Sequence, residues 1–210
     1  MSGVENFSPV DFARQDEMPD EMFYSVARLV THIDEDACHA LRDFYRLHMA
    51  PGMTVLDLMS SCVSHLPDDP KPLGVTGHGM NLQELKANQQ LDDYFIQNLN
   101  KSPSLSFDDA EFDLCLIAVS VQYLTDPVPV FSESARILKP GGRLIVSFSN
   151  RMFPTKAVAI WQALDDQGHC GLVREYMVRT GRFADISITD ISPNPGYTDP
   201  LFAVVGTVGK

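Results

Sequence analysis

Apolar residues along this chain change their spacing several times, and each change predicts an element. Between Asp34 and Met49 they recur at helical spacing (Ala37, Leu41, Phe44, Tyr45), with Asp34 as the cap and Glu35 and Asp36 at the positive end. Pro51-Gly52 stops that helix, and Thr54–Leu58 follows as a strand. Leu73–Thr76 predicts a second strand, Leu82–Leu91 a helix capped by Asn81, and Tyr94–Gln97 a third strand. Phe112–Val119 is nearly all apolar, as a strand covered on both faces should be. A helix over Val128–Leu138 stops at Lys139-Pro140-Gly141-Gly142, and Arg143–Ser149 is the fifth strand. Pro154–Asp165 and Leu172–Thr180 read as helices, with Gly181 ending the second. Ile186–Ile191 and Leu201–Val208 then flank the loop Ser192-Pro193-Asn194-Pro195-Gly196 as an antiparallel pair. The expectation is an α/β fold, Rossmann-like, with a seven-stranded mostly parallel sheet, helices on both faces and a C-terminal antiparallel hairpin. Residues 1–50 form an N-terminal lid segment and helix, and residues 51–210 the main domain. Ligands of such sheets lie beyond the C-terminal strand ends.

Composition narrows the classes of partner. A net charge of −12 repels phosphate backbones and anionic lipid, so nucleic acid and membrane are poor partners. No apolar run is long enough to span a bilayer, and the polar, acidic N-terminus does not read as a signal peptide. Cys38, Cys62, Cys115 and Cys170 lie far apart with no CxxC pair, so no metal is expected and a reducing, cytoplasmic setting is the simplest assumption. Cys62 reads as a packed small residue rather than a nucleophile, and His65 as a solvated or capping residue.

Ser106-Phe107-Asp108-Asp109-Ala110-Glu111-Phe112-Asp113, then Tyr123-Leu124, then Glu133-Ser134-Ala135-Arg136-Ile137-Leu138-Lys139-Pro140-Gly141-Gly142, resembles a stretch of the class I S-adenosylmethionine-dependent methyltransferases. The branch it looks like contains quinone-biosynthesis and other small-molecule methyltransferases. The resemblance implies S-adenosyl-L-methionine as cofactor and a small-molecule substrate. In that family glycines after the first strand admit the methionine end of the cofactor, an acid ending the second strand accepts the ribose hydroxyls, and an acid after the third accepts from adenine.

This chain departs from the pattern. Met59, Ser61 and Val63 stand at the glycine positions, Gly79 at the ribose acid and Asn98 at the adenine acid; only Asp57 matches a family acid. The cofactor contacts the resemblance implies are therefore Asp57, Met59, Ser60, Ser61, Gly79, Met80, Asn98, Leu99 and Val119. Asp57 either fixes the turn by accepting backbone N–H groups or takes the cofactor's ammonium through a water. Pro67, Pro70 and Pro72 limit any helix begun at Ser60 to one or two turns, a serine-rich start whose N–H groups would face a carboxylate. Restoring an acid at position 79 is expected to tighten binding. Loss of the glycines and the ribose acid also fits an alternative, a catalytically degenerate binding or scaffold protein on this fold.

Substrate residues are expected at three places. Tyr24, Arg28 and His32 are four apart and would share one face if Phe23–Asp34 is helical. Ser120, Gln122 and Tyr123 follow the fourth strand, and Asn150 and Arg151 the fifth. Arg28, Arg151 and Lys156 together offer a clamp for an anion, although Arg151 could instead pair with a carboxylate such as Asp126. No residue declares itself as a catalytic base.

Overall fold

A computed structural model describes residues 7–209; the first six residues of the expected N-terminal segment, and Lys210, lie outside the described residues. Seven strands, β1 (Thr54–Leu58), β2 (Gly74–Gly79), β3 (Asp93–Ile96), β4 (Phe112–Ala118), β5 (Leu138–Phe148), β6 (Phe183–Asp190) and β7 (Phe202–Val208), form one sheet in the order β3-β2-β1-β4-β5-β7-β6. β1 to β5 pair in parallel; β7 runs antiparallel to β5 and to β6. This is the expected Rossmann-like sheet with its terminal hairpin.

Period-two alternation places a core on each face. Leu56, Leu58, Cys115, Ile117, Leu144 and Val146 pack with α4 (Pro127–Ile137) and α6 (Asp166–Thr180) around Phe131, Trp161 and Tyr176. Val55, Val75, Leu114, Leu116 and Ile145 pack on the other face against α2 (Glu35–His48) through Ala37, Leu41 and Tyr45. Asp34 caps α2 by accepting from Ala37 N–H at 2.8 Å, as its sequence predicts.

Some boundaries differ. α6 begins at Asp166 rather than Leu172, because Asp165 caps it through Gly168 N–H; α5 is only Ala159–Gln162. Before α2, the N-terminal segment holds a 3-10 turn at Pro9–Phe12 and one short helix, α1 (Asp20–Phe23), and then runs irregularly to Asp34. Between Ser60 and Leu73 no helix forms at all. The side chains that follow α3 (Leu82–Ala87) satisfy that backbone instead. Gln90 accepts from Ser64 N–H and Leu66 N–H and donates to Leu66 O, while Asn88 donates to Ser61 O and Ser64 Oγ. The expected serine-started helix is thus replaced by an extended segment stitched by two amide side chains.

The Lys139-Pro140-Gly141-Gly142 block has a steric reason. A Cβ on Gly142 would sit 2.8 Å from Lys139 O and 3.2 Å from Asp113 O, both backbone atoms that cannot swing away. Gly141 holds φ +81 with open space around it. Gly142→Ala should therefore cost about 1–3 kcal/mol from overpacking, and Gly141→Ala about 1–2 kcal/mol from the left-handed backbone alone. Urea unfolding of both variants at unchanged m-value checks this ordering; a Gly142→Ala chain as stable as wild type would contradict it.

Candidate active site

The turn after β1 is built on His78 of β2. Met59 N–H donates to His78 Nδ1 at 3.0 Å and Ser60 N–H donates to His78 O at 2.7 Å. Because Nδ1 accepts, the ring proton is on Nε2, which donates to Gln97 O at 2.9 Å. Burial lowers the His78 pKa to about 4, so the ring is neutral. One imidazole thus joins β1, β2 and the strand end of β3. Beneath the turn, Asp57 is buried and accepts from Ser60 Oγ at 2.5 Å. Burial pushes its carboxyl up to about 6, opposed by the Ser60 and Ser64 hydroxyls.

Beyond the C-terminal ends of β1, β2, β3 and β4 lies a cleft of about 550 Å³. All nine expected cofactor positions border it: Asp57, Met59, Ser60, Ser61, Gly79, Met80, Asn98, Leu99 and Val119. So do Tyr24, Arg28, His32, Ser120, Tyr123, Asn150 and Arg151 from the substrate set. Gln122 does not; its amide turns inward to Val119 O and Arg151 O, and its backbone O accepts from Val158 N–H. Its polar side chain serves the backbone, a role that spacing alone cannot distinguish from a site role.

Tyr24, Arg28 and His32 meet without sharing a helix face, since α1 ends at Phe23. Arg28 is the hinge of the arrangement. Its guanidinium lies 4.6 Å from the Phe23 ring centre and 5.0 Å from that of Phe153, and donates to Phe23 O and Val26 O. His32 packs edge-on against the same Phe153 ring. The anion clamp does not form. Lys156 is fully buried and donates to Asp16 O and Met18 O, with Asp16 and Asp20 as ion-pair partners at 3.6 and 3.4 Å. Breaking such a buried pair costs about 3–5 kcal/mol, so Lys156 holds the N-terminal segment rather than a ligand. Arg151 is exposed and lies 3.8 Å from Asp199, not Asp126.

Position 79 also differs from expectation. A Cβ there would lie 2.7 Å from Ser60 O and 3.2 Å from Leu85 Cδ2, so an acid cannot be added without lifting the turn. Asn98 is held at both ends of its amide: Nδ2 donates to Glu21 and Oδ1 accepts from Asn100 N–H. His65 and Glu84 are among the cleft residues that escaped sequence reasoning. His65, expected at the surface, is buried at the cleft wall, and burial lowers its pKa to about 4. Glu84, nine-tenths buried, accepts from Arg28 N–H and Ser61 Oγ, both at 2.7 Å. The Asn81-Leu82-Gln83-Glu84 spacing fits a capping box, but Glu84 turns to Arg28 and Ser61, partners 56 and 23 residues away that the spacing does not signal.

The cleft carries two marks of a binding site. Of the four non-glycine residues with positive φ among the described residues, three border it: Met59 (56°), His65 (55°) and Val119 (50°). Such backbone costs about 1–3 kcal/mol per residue and collects at functional sites. Ser120 Oγ and His65 Nδ1 are buried in its wall with no hydrogen-bond partner, where native chains leave few such atoms. The volume falls within the range of small-ligand pockets, so an adenosyl cofactor fits the cleft, with the exception of the acid at position 79. Among the described residues no cluster of His, Cys, Asp and Glu stands where it could hold a metal ion, and no helix is long and apolar enough to cross a membrane.

Comparison with known proteins agrees. The family model described as "Methyltransferase domain" matches residues 73–146. The biotin biosynthesis bifunctional protein BioHC of Teredinibacter turnerae is 29% identical over 133 residues, 56% of this chain and 23% of that protein. The ubiquinone/menaquinone biosynthesis C-methyltransferase UbiE of Laribacter hongkongensis is 28% identical over 153 residues, 66% of this chain and 63% of that one. The chain therefore spans less than two thirds of the length of these relatives. Among solved structures, a SAM-dependent methyltransferase from Aquifex aeolicus shares the fold at a TM-score of 0.58, with 14% identity over 97% of this chain and 100% of that one. A methyltransferase in complex with the Trm112 methyltransferase activator, from Haloferax volcanii, does so at 0.60, with 17% identity over 84% and 91%. The chain is similar to the class I S-adenosylmethionine-dependent methyltransferase superfamily: a methyltransferase-domain model matches residues 73–146, and solved methyltransferases share its fold. S-adenosyl-L-methionine is the cofactor of that superfamily.

His78 gives this site a pH signature. Its folded pKa near 4 is below the ordinary 6.5, so its contribution to stability is complete above about pH 6.5 and is lost as pH falls toward 4. His65 acts in the same sense; Asp57, raised from 3.8 to about 6, acts in the opposite one. The stability difference between wild type and His78→Gln should be constant above pH 6.5 and shrink below it by up to about 1.4 kcal/mol per pH unit. Urea titrations of both proteins from pH 7.5 to 4.5 measure it, and a difference independent of pH would contradict the neutral buried ring.

Proposed function

We propose that this chain binds S-adenosyl-L-methionine in the cleft and transfers its methyl group to a small molecule. The observation that carries the reading is the coincidence, on one cleft, of three strained residues with two buried polar atoms that lack a partner. Decay of a site would relax such strain, because nothing would select it.

When bound, the cofactor supplies an activated methyl group on a sulfonium. The chain's own work is to position, desolvate and shield. Met59, Ser60 and Ser61 would hold the methionine end, and Met80, Leu99 and Val119 would wall the adenosyl part. Ser120, Tyr123, Asn150 and Arg151 would meet the substrate. Residues 23–34 act as the lid: Tyr24 O and Ser25 O accept from Asn81 Nδ2, and Arg28 N–H is held by Glu84. Tyr123 is no base at neutral pH, since burial pushes its phenol up to about 12 and its oxygen accepts from Phe153 N–H. Neutral His32, its pKa lowered chiefly by burial, is the candidate proton acceptor on the lid itself. The acidic surface supports a small molecule rather than nucleic acid as substrate, and four free cysteines support a cytoplasmic setting.

One observation favours a second reading, a cofactor-free binding protein on this fold: Ser60 O fills the space beside Gly79. Calorimetry decides between them. The full chain should bind one S-adenosylhomocysteine with a Kd in the micromolar range, and amide exchange across residues 23–34 should slow on binding. No heat at millimolar ligand would end the methyltransferase reading.

A further inference from the structure

Among the described residues three carboxylates border the cleft, Asp20, Asp57 and Glu84, and two of them are excluded as acceptors for a ribose. An acid at 79 has no room, because its Cβ would meet Ser60 O at 2.7 Å. Asp20 borders the cleft, but Arg14 at 2.7 Å, Asn100 at 3.0 Å and Lys156 at 3.4 Å occupy it. Asp57 lies under the Ser60 hydroxyl, buried to within 1% of full exclusion. Glu84 is different. It is 9% exposed, borders the cleft, and has no cation within ion-pair distance among the described residues. Its oxygens accept one neutral donor each, Arg28 N–H and Ser61 Oγ, although an ionised carboxylate offers about four lone-pair sites. A buried carboxylate left with half its acceptor sites free is costly unless a ligand completes it.

Placement supports the same conclusion. Glu84 stands on the first turn of α3, five residues past the end of β2, and the neighbouring Leu85 packs against Gly79. Ser61, its partner, follows the residue whose carbonyl closes position 79. The carboxylate thus stands beside the space from which the family's acid is excluded. Ser120 Oγ and His65 Nδ1, buried and without partners in the same cleft, independently call for a polar ligand.

We propose that Glu84 is the carboxylate that receives the ribose hydroxyls of an adenosyl ligand in this chain, in place of an acid ending β2. The assignment rests on the cofactor reading above. It separates Glu84 from a mere strut between the N-terminal segment and the turn, because a strut would not sense the ribose.

Isothermal titration of the full chain and of Glu84→Gln with three ligands tests it: S-adenosylhomocysteine, 5′-methylthioadenosine, and the 2′,3′-dideoxy form of the latter. The variant should lose at least ten-fold in affinity for the first two by the same factor, and nothing for the dideoxy form. Loss for S-adenosylhomocysteine alone would place Glu84 at the amino-acid end and overturn the assignment. Equal loss for all three would reduce Glu84 to a strut, and no loss for any would remove it from the site; either result overturns it. Wild type failing to bind any of them would overturn the cofactor reading and this assignment together.

Discussion

Two hydrogen bonds from the turn after β1 to one residue, His78, set the geometry of the cleft. With Met59 N–H on the ring and Ser60 N–H on the carbonyl, the turn lies down on β2. That contact brings Ser60 O against Gly79, so glycine at 79 is a steric consequence rather than a lost function. It also holds Met59 at φ 56°, the left-handed conformation that glycine would adopt more cheaply. The chain thus keeps a tight turn at the strand end without the glycines usually used for it. A buried imidazole, two serines and a carboxylate restrain it instead.

The same economy extends to the segment that follows. Three prolines forbid a long helix between residues 60 and 73, and the amides of Asn88 and Gln90 satisfy the backbone that a helix would have satisfied internally. Without that helix, residues 23–34 and His65 come directly to the cleft wall. The N-terminal segment is fixed at its base by Asp20, Arg14, Lys156 and Asn100, and at its tip by Asn81 and Glu84. Between those anchors Arg28 is held by two aromatic rings and two carbonyls.

Much of this architecture is legible in the sequence, for a physical reason. Strands covered on both faces must be apolar throughout, so β1 and β4 stand out, and caps such as Asp34 and Asn81 are local chemistry. What escapes is any structure made by side chains distant in sequence. The Asn88–Gln90 stitching, the His78 anchor and the burial of Lys156 all depend on partners tens of residues away. Lys156 and Gln122 look like surface or site residues because burial of a polar group is invisible until its partners are known. The cleft's border was legible because strand ends announce it; the roles of individual residues there were not. Gly79 could be read as a missing acid, but not as a contact with Ser60 O.

A crystal structure of the full chain with S-adenosylhomocysteine tests the arrangement most directly. The turn should stay seated on His78, with Ser60 O still against Gly79, and the ligand's ribose should lie beside Glu84. A turn lifted from His78, with the ribose placed against position 79, would contradict it.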